Sequence, residues 1–100
     1  MKKHNLNLIY NKYSEEELED NINSFSKWDW AKISCHQKLS EQFIERHADK
    51  IDWNFISAYQ KLSKEFIKKY IKKININWLI HNENISEEMK KEIKTLKEIR

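Results

Sequence analysis

The sequence contains no glycine, no proline and only one cysteine. Glycine is the residue on which tight β-hairpin turns, glycine-rich phosphate loops and nucleophile elbows depend, so these motifs are excluded. What remains is a chain suited to short helices joined by turns of Asn, Asp, Ser and Lys. A single cysteine forms no internal disulfide and is typical of a reducing compartment.

The rest of the composition predicts one soluble domain. Hydrophobic residues make up 39% of the 100 residues and four are tryptophan, which argues against disorder although 35% are charged. After Lys2 and Lys3, the apolar residues Leu6, Leu8 and Ile9 are too few for a signal peptide or a membrane span. We therefore expect a cytoplasmic protein that does not contact a membrane.

Residues 1–12 have no helical period. Leu6, Leu8 and Tyr10 alternate with their neighbours, which predicts a short extended segment. This N-terminal arm either lies along the helices or pairs with a second copy of the chain, so a homodimer stays open.

One pattern that predicts a helix start recurs along the chain. A cap residue has an apolar residue immediately before it and a second apolar residue four positions after it. The predicted caps are Ser14, Asp29, Ser40, Asp52, Ser63 and Asn75. Ser14 and Glu17 fit a capping box, and Tyr13 and Leu18 are the flanking apolar pair, or hydrophobic staple. Five further staples follow the pattern: Trp28 and Ile33, Leu39 and Ile44, Ile51 and Ile56, Leu62 and Ile67, Ile74 and Leu79. Ser86 is the last cap. The pattern predicts seven short helices that start near Glu15, Trp30, Glu41, Trp53, Lys64, Ile76 and Glu87.

The middle of the chain contains two copies of one sequence motif. The string Asp-Trp-x-x-Ile-Ser-x-x-Gln-x-Leu-Ser-x-x-Phe-Ile runs from Asp29 to Ile44 and again, 23 residues later, from Asp52 to Ile67. A fixed period of this length is typical of stacked arrays, in which helices too short to be stable alone bury one another's apolar faces. We predict an all-α fold, a compact array of short helical hairpins with a non-helical arm.

The predicted organisation is a single domain that ends in a decayed copy of the repeat. Ile76 replaces the tryptophan there, and the charged last helix has the polar outer face that a terminal cap needs. The predicted parts are the arm at 1–12, a first helix at 13–27, repeat 1 at 28–50, repeat 2 at 51–73, and a degenerate repeat and cap at 74–100.

The repeat string resembles a short tandem helical repeat in proteins of phages, giant viruses and low-G+C bacteria. It covers about half of this chain in clear form. The resemblance implies a helical-repeat architecture and a phage or viral source, with a bacterial host or infected cell as the location, and it brings no catalytic residues. Small phage proteins of this kind are often inhibitors of host defence. By that association the resemblance implies an anti-CRISPR-like inhibitor that occludes a nucleic-acid-targeting defence complex.

The densest basic surface is predicted for six lysines of the second copy: Lys61, Lys64, Lys68, Lys69, Lys72 and Lys73. Spacings of three, four and four from Lys61 to Lys72 predict one stripe on a helix face, with the other two beside it. Glu41 and Glu45 of the first copy become lysines in the second, a change of sign that a purely structural stripe has little reason to make. Such a stripe fits phosphates, an acidic protein surface or plain solvent.

Other residues whose side chains could react, bind metal or stack on bases have structural explanations in the repeat register. Cys35 aligns with an alanine, which predicts a small buried core position. His36 and His47 align with Tyr59 and Tyr70, which predicts amphipathic positions at a helix margin, and the spacing of His and Cys does not supply a zinc site. The aromatic residues recur at core positions; as an alternative they form a platform for stacking bases.

Two tryptophans and four polar residues complete the set of candidates. We expect Trp28 and Trp78 to expose an edge. Gln37 and Gln60 recur in register, as do Ser34 and Ser57, which predicts hydrogen bonds between helices of the stack.

No nucleophile, general base, metal-ligand set or cofactor loop assembles, so the sequence predicts a protein that is not an enzyme and has no cofactor. The leading hypothesis is a protein-binding module that uses the lysine stripe and Trp28, with a host defence nuclease complex as the expected partner. The alternative is direct binding of nucleic acid by the same lysines. The formal net charge of +3 permits either.

Overall fold

A computed structural model describes residues 3–99 and confirms the all-α class. This part of the chain contains seven α-helices and one 3₁₀ turn, and no strand. The helices are α1 Glu15–Asp20, α2 Lys27–His36, α3 Glu41–Arg46, α4 Trp53–Tyr59, α5 Lys64–Lys69, α6 Ile76–Leu79 and α7 Glu87–Ile99, with the 3₁₀ turn at Ile22–Ser24. Six of the seven helices start where the capping pattern predicts; α2 does not.

The chain divides into two compact units, Met1–Asp52 and Trp53–Arg100. The first unit contains the arm and α1 to α3, and the second contains α4 to α7. The core of the first unit is formed by Leu8, Leu18, Trp30, Ile33, Leu39, Phe43, Ile44 and Ile51. The core of the second is formed by Ile56, Leu62, Phe66, Ile67, Ile71, Ile74, Leu79, Ile85 and Ile93.

The staple residues predicted inside the helices are buried, and the predicted serine caps of α3 and α5 form their hydrogen bonds. The second apolar residue of each predicted staple is 0% exposed, namely Leu18, Ile33, Ile44, Ile56, Ile67 and Leu79. Ser40 Oγ accepts a hydrogen bond from Phe43 N–H at 3.1 Å, and Ser63 Oγ accepts one from Phe66 N–H at 3.1 Å. Each cap satisfies a helix N–H that has no partner within the helix, which is worth about 1 kcal/mol.

Helix α2 starts at Lys27 and not near Trp30, so the predicted cap at Asp29 is wrong. Its N-cap is Ser26, whose Oγ accepts from Asp29 N–H at 3.2 Å, while the Asp29 carboxylate accepts from Ser26 N–H at 2.9 Å. The two residues therefore form a capping box, in which Asp29 is the third helical residue.

The staple of α2 changes together with its cap. Phe25 precedes Ser26 and packs edge-to-face on Trp30, with ring centroids 5.6 Å apart. The predicted pairing of Trp28 with Ile33 is therefore wrong. Trp28 lies outside the staple and its side chain is 74% exposed.

Two buried serines make the same contacts in the two units, 23 residues apart. Ser34 Oγ donates to the carbonyl oxygen four residues earlier at 2.8 Å and accepts from Asp52 N–H at 2.9 Å. Ser57 Oγ donates to the corresponding carbonyl at 2.7 Å and accepts from Asn75 N–H at 3.0 Å. Each hydroxyl thus forms a hydrogen bond between its own helix, α2 or α4, and the backbone N–H of a residue 18 positions later, Asp52 or Asn75.

Each unit also contains a trio of rings in the same register. The first unit has Trp30, Phe43 and His47, and the second has Trp53, Phe66 and Tyr70. The three centroid distances are 6.4, 5.4 and 4.7 Å in the first unit and 6.3, 5.2 and 4.7 Å in the second. His47 and Tyr70 therefore occupy equivalent positions in packing as well as in sequence.

The described part of the arm packs into the first unit. Leu8 is 2% exposed. Gln37 Nε2 donates to the carbonyl oxygens of Leu8 and Asn11, both at 2.7 Å, and Gln37 Oε1 accepts from Tyr13 N–H at 3.0 Å. Gln37 thus bonds to the arm and its junction with α1, whereas the sequence predicted a bond between stacked helices.

Four further arm N–H groups are bonded inside this unit, those of Leu6, Asn7, Ile9 and Tyr10. Pairing as a strand needs a row of unpaired N–H and C=O groups. In the described part of the arm, these four bonded N–H groups interrupt such a row. Of the two predicted arrangements, the structure shows the arm lying against the helices.

Candidate functional site

The second unit carries most of the positive charge. Trp53–Arg100 contains eleven Lys and Arg residues against six Asp and Glu, whereas Met1–Asp52 contains eight against ten. The formal net charges are therefore +5 and −2. An excess of one sign favours partners of the opposite sign and speeds their encounter.

The predicted lysine stripe is not one helix face, and that part of the prediction is wrong. Helix α5 ends at Lys69: Tyr70 leaves the helical conformation, with φ −108° and ψ 27°, and the N–H of Ile71 bonds to the carbonyl three residues earlier and not four. Residues 70–73 form turns and not helix, although the buried Ile71 and Ile74 still follow Ile67 at helical spacing. Of the six lysines, α5 carries Lys64, Lys68 and Lys69, whereas Lys61 precedes it and Lys72 and Lys73 follow it.

Two of these lysines are engaged within the second unit. Lys64 Nζ lies 2.9 and 3.0 Å from the two carboxylate oxygens of Glu92 on α7. Lys69 Nζ lies 5.6 Å from the centroid of the Tyr70 ring. The other four are exposed and have no ion pair or hydrogen bond within residues 3–99: Lys61, Lys68, Lys72 and Lys73.

Helix α7 adds basic groups to this unit. From the sequence, its charged residues were expected only to form the polar outer face of the last repeat. Lys91 and Lys94 are exposed and, in the part of the chain that the structure describes, unpaired. Lys90 Nζ lies 3.8 Å from the Glu87 carboxylate. The spacing of Lys91 and Lys94 on one helix was visible in the sequence. Their placement beside α5 was not, because it depends on the packing of α5 against α7.

A groove of about 370 Å³ lies between α5 and α7, lined by Lys64, Lys68, Lys91, Glu92, Thr95 and Leu96. We call it the basic groove. Three ammonium groups and one carboxylate surround it, and Leu96 with the methylene stems of the lysines gives it an apolar part. This lining suits a ligand that combines negative charge with some apolar surface.

A second groove, of about 320 Å³, is lined by Ala58, Tyr59, Asn77, Trp78 and His81 of the second unit. Trp78 is 38% exposed, so its predicted exposed edge is present, and Tyr59 is 52% exposed. The lining contains no Lys, Arg, Asp or Glu. It therefore lacks the charge that would select between classes of partner.

Trp28, the remaining predicted contact residue, belongs to the first unit and not to the unit of the lysines. Its exposure leaves it available for contact. Single exposed apolar side chains are common on protein surfaces, however, so the exposure alone assigns no partner.

Cys35 does not have the environment of a reactive thiol. It is half-buried, whereas the sequence predicted a small buried core position. Burial raises the pKa of the thiol, the Asp52 carboxylate raises it further, and Lys12 opposes both. A raised pKa reduces the thiolate fraction, and the thiolate is the nucleophile.

His47 is part of an ion cluster on the first unit. Its Nε2 lies 2.5 Å from Glu19 Oε1, and an Arg46 nitrogen lies 3.3 Å from the same oxygen. The hydrogen bond from His47 lowers the pKa of Glu19 and, with the positive charges of His47 and Arg46, outweighs the opposing effect of burial. Within residues 3–99, no three His, Cys, Asp or Glu residues form a group that could hold a metal ion.

No protein-family model, curated protein or solved structure matches the chain. None of the helices in residues 3–99 combines the length and the apolar character that crossing a bilayer requires.

Proposed function

We propose that this chain is a non-enzymatic protein-binding module that recognises an acidic protein surface through the lysines of its second unit. The observation that carries the proposal is the set of exposed lysines of the second unit that have no ion pair in residues 3–99, above all Lys68 and Lys91, which line the basic groove, and Lys94 on the same helix as Lys91. A partner that brings carboxylates to this surface offsets the mutual repulsion of the lysines and is steered to it over a distance.

Nucleic acid is the second candidate, because the same unpaired lysines also suit phosphates. Two features favour the protein partner. Glu92 places a negative charge inside the basic groove, and Leu96 offers apolar surface that phosphates do not use. The proposed phage or viral source and the inhibition of a host defence complex by occlusion come from the resemblance of the repeat, and a host nuclease complex with an acidic surface is the partner that we propose.

The test compares two charge-reversal variants in capture from host lysate. The site variant carries Lys68→Glu, Lys91→Glu and Lys94→Glu. The matched control carries three reversals on the first unit, at Lys32, Lys38 and Lys50, which are also exposed and unpaired in the described chain. Both variants shift the formal net charge from +3 to −3, and circular dichroism checks that both stay helical.

We expect wild type and control to capture the same protein in stoichiometric amount, and the site variant to lose it. Loss from both variants would show that only net charge matters and would contradict the assigned surface. If only nucleic acid is captured, and its binding weakens by decades between about 50 and 200 mM salt, the second candidate replaces the first.

A further inference from the structure

The basic groove already holds one carboxylate. The Glu92 side chain reaches from α7 to α5, with its two oxygens 2.9 and 3.0 Å from Lys64 Nζ. The side chains of Lys64 and Glu92 are 36% and 53% exposed, so water reaches the pair. An ion pair this exposed contributes little to stability, and another carboxylate can replace its acid partner at little cost.

The groove has more positive charge than Glu92 neutralises. Lys68 and Lys91 also line it, and neither has an ion pair within residues 3–99. Thr95 Oγ1 donates to the Lys91 carbonyl oxygen at 3.0 Å, so this hydroxyl is satisfied within α7. Leu96 is half-buried and contributes apolar surface to the lining. The groove therefore contains three ammonium groups, of which Lys64 is paired with the Glu92 carboxylate, beside an apolar contact.

We propose that the basic groove binds an acidic peptide segment of the protein partner, and that Glu92 occupies a carboxylate position of that segment in the free protein. This inference rests on the proposed function, because it names the part of the partner that the same surface takes. A carboxylate of the segment replaces Glu92 beside Lys64. Further carboxylates meet Lys68 and Lys91, and an apolar side chain of the segment covers Leu96.

A phosphodiester backbone fits the groove less well than a peptide. Duplex binding depends on basic groups that neutralise successive phosphates, and a carboxylate among those groups repels the phosphates. Here Glu92 lies among the ammonium groups, and Leu96 has no favourable contact with a phosphate. An acidic peptide that also carries apolar side chains uses both features of the groove, because its carboxylates meet the lysines and an apolar side chain covers Leu96.

The position of Glu92 gives the inference a specific consequence. Glu92→Gln removes the competing charge but keeps the shape of the side chain, so an acidic peptide should bind about two- to fivefold more tightly. Glu98→Gln makes the same change of charge on the same helix at an exposed residue that does not line the groove. We expect this control to change binding far less.

The probes are two fluorescein-labelled peptides of about 15 residues, a length at which an isolated helix is only marginally stable. One consists of Glu, Ala and Leu, and the other has Ser in place of every Leu. Fluorescence anisotropy at fixed salt gives their dissociation constants with each variant. Leu96→Ala should remove most of the preference for the Leu peptide without altering the binding of the Ser peptide.

An equal gain from Glu92→Gln and Glu98→Gln would overturn the inference, because long-range charge would then explain both. Absence of peptide binding, or a stronger response of a labelled DNA duplex than of the peptides to Glu92→Gln, would also overturn it. If the three-lysine site variant loses its captured protein while Glu92→Gln leaves that capture and the peptides unaffected, the proposed function stands and only the inference about the groove fails.

Discussion

Gln37→Met should detach the arm from the first unit without unfolding the rest of that unit. Gln37 is 1% exposed, and its side chain donates to the carbonyl oxygens of Leu8 and Asn11 and accepts from the Tyr13 N–H. At about 1 kcal/mol net for each bond, and with part of the desolvation penalty of the groups left unpaired, the loss is about 2–4 kcal/mol. Methionine is similar in volume, so a cavity adds little to this cost.

Urea unfolding followed by tryptophan fluorescence measures the loss. With a denaturant slope of about 1.5 kcal/mol/M, the midpoint should fall by roughly 1.3–2.7 M. Hydrogen exchange gives the local readout, since the Tyr13 amide should lose its protection. Gln42→Met, at an exposed position of α3, is the control and should change the midpoint little. A midpoint equal to that of the control, with the Tyr13 amide still protected, would refute this account of the arm.

Three further predictions follow from single contacts. Ser57→Ala leaves the Asn75 N–H without its acceptor and should cost about 1–3 kcal/mol in urea unfolding. Glu19→Gln should flatten the acid side of the stability curve: a lowered folded-state pKa gives stability that is present above the unfolded pKa and is lost as pH falls through the folded pKa. Cys35 should react more slowly than free glutathione with iodoacetamide near neutral pH, because its pKa is raised.

Each of these predictions has its own contradicting result. The prediction for Ser57 is contradicted if the urea midpoint is unchanged in Ser57→Ala but lowered in Ser34→Ala, since the two hydroxyls make equivalent bonds. For Glu19, the contradicting result is a variant whose stability falls as steeply as that of the wild type below about pH 5. For Cys35, it is labelling as fast as that of the free thiol in the folded protein.

The helix starts could be predicted from the sequence because their determinants are local. A cap and the two apolar residues around it lie within six positions, and the caps Ser14, Ser40 and Ser63 all act as predicted. The error at α2 has the same origin. Ser26 and Asp29 are both good caps, and only the packing of Phe25 on Trp30 decides between them.

The helix ends are much harder to predict than the helix starts, and for this reason the predicted lysine stripe on one helix face is wrong. Helices often end at a glycine with positive φ, but this chain has no glycine and no residue of 3–99 adopts positive φ. The end of α5 at Lys69 is therefore unmarked in the sequence, and the helical period was continued as far as Lys73. The basic groove could not be predicted either, because it depends on α5 packing against α7, which no repeat register specifies.

The most direct test of the account is a map of amide chemical shifts during titration with the Glu-, Ala- and Leu-containing peptide. The account predicts that the largest changes fall on residues 64–69 and 91–96, and that Lys68→Glu abolishes them. Changes centred instead on Trp28, or on Tyr59 and Trp78 of the second groove, would contradict the assignment of the partner site to the basic groove.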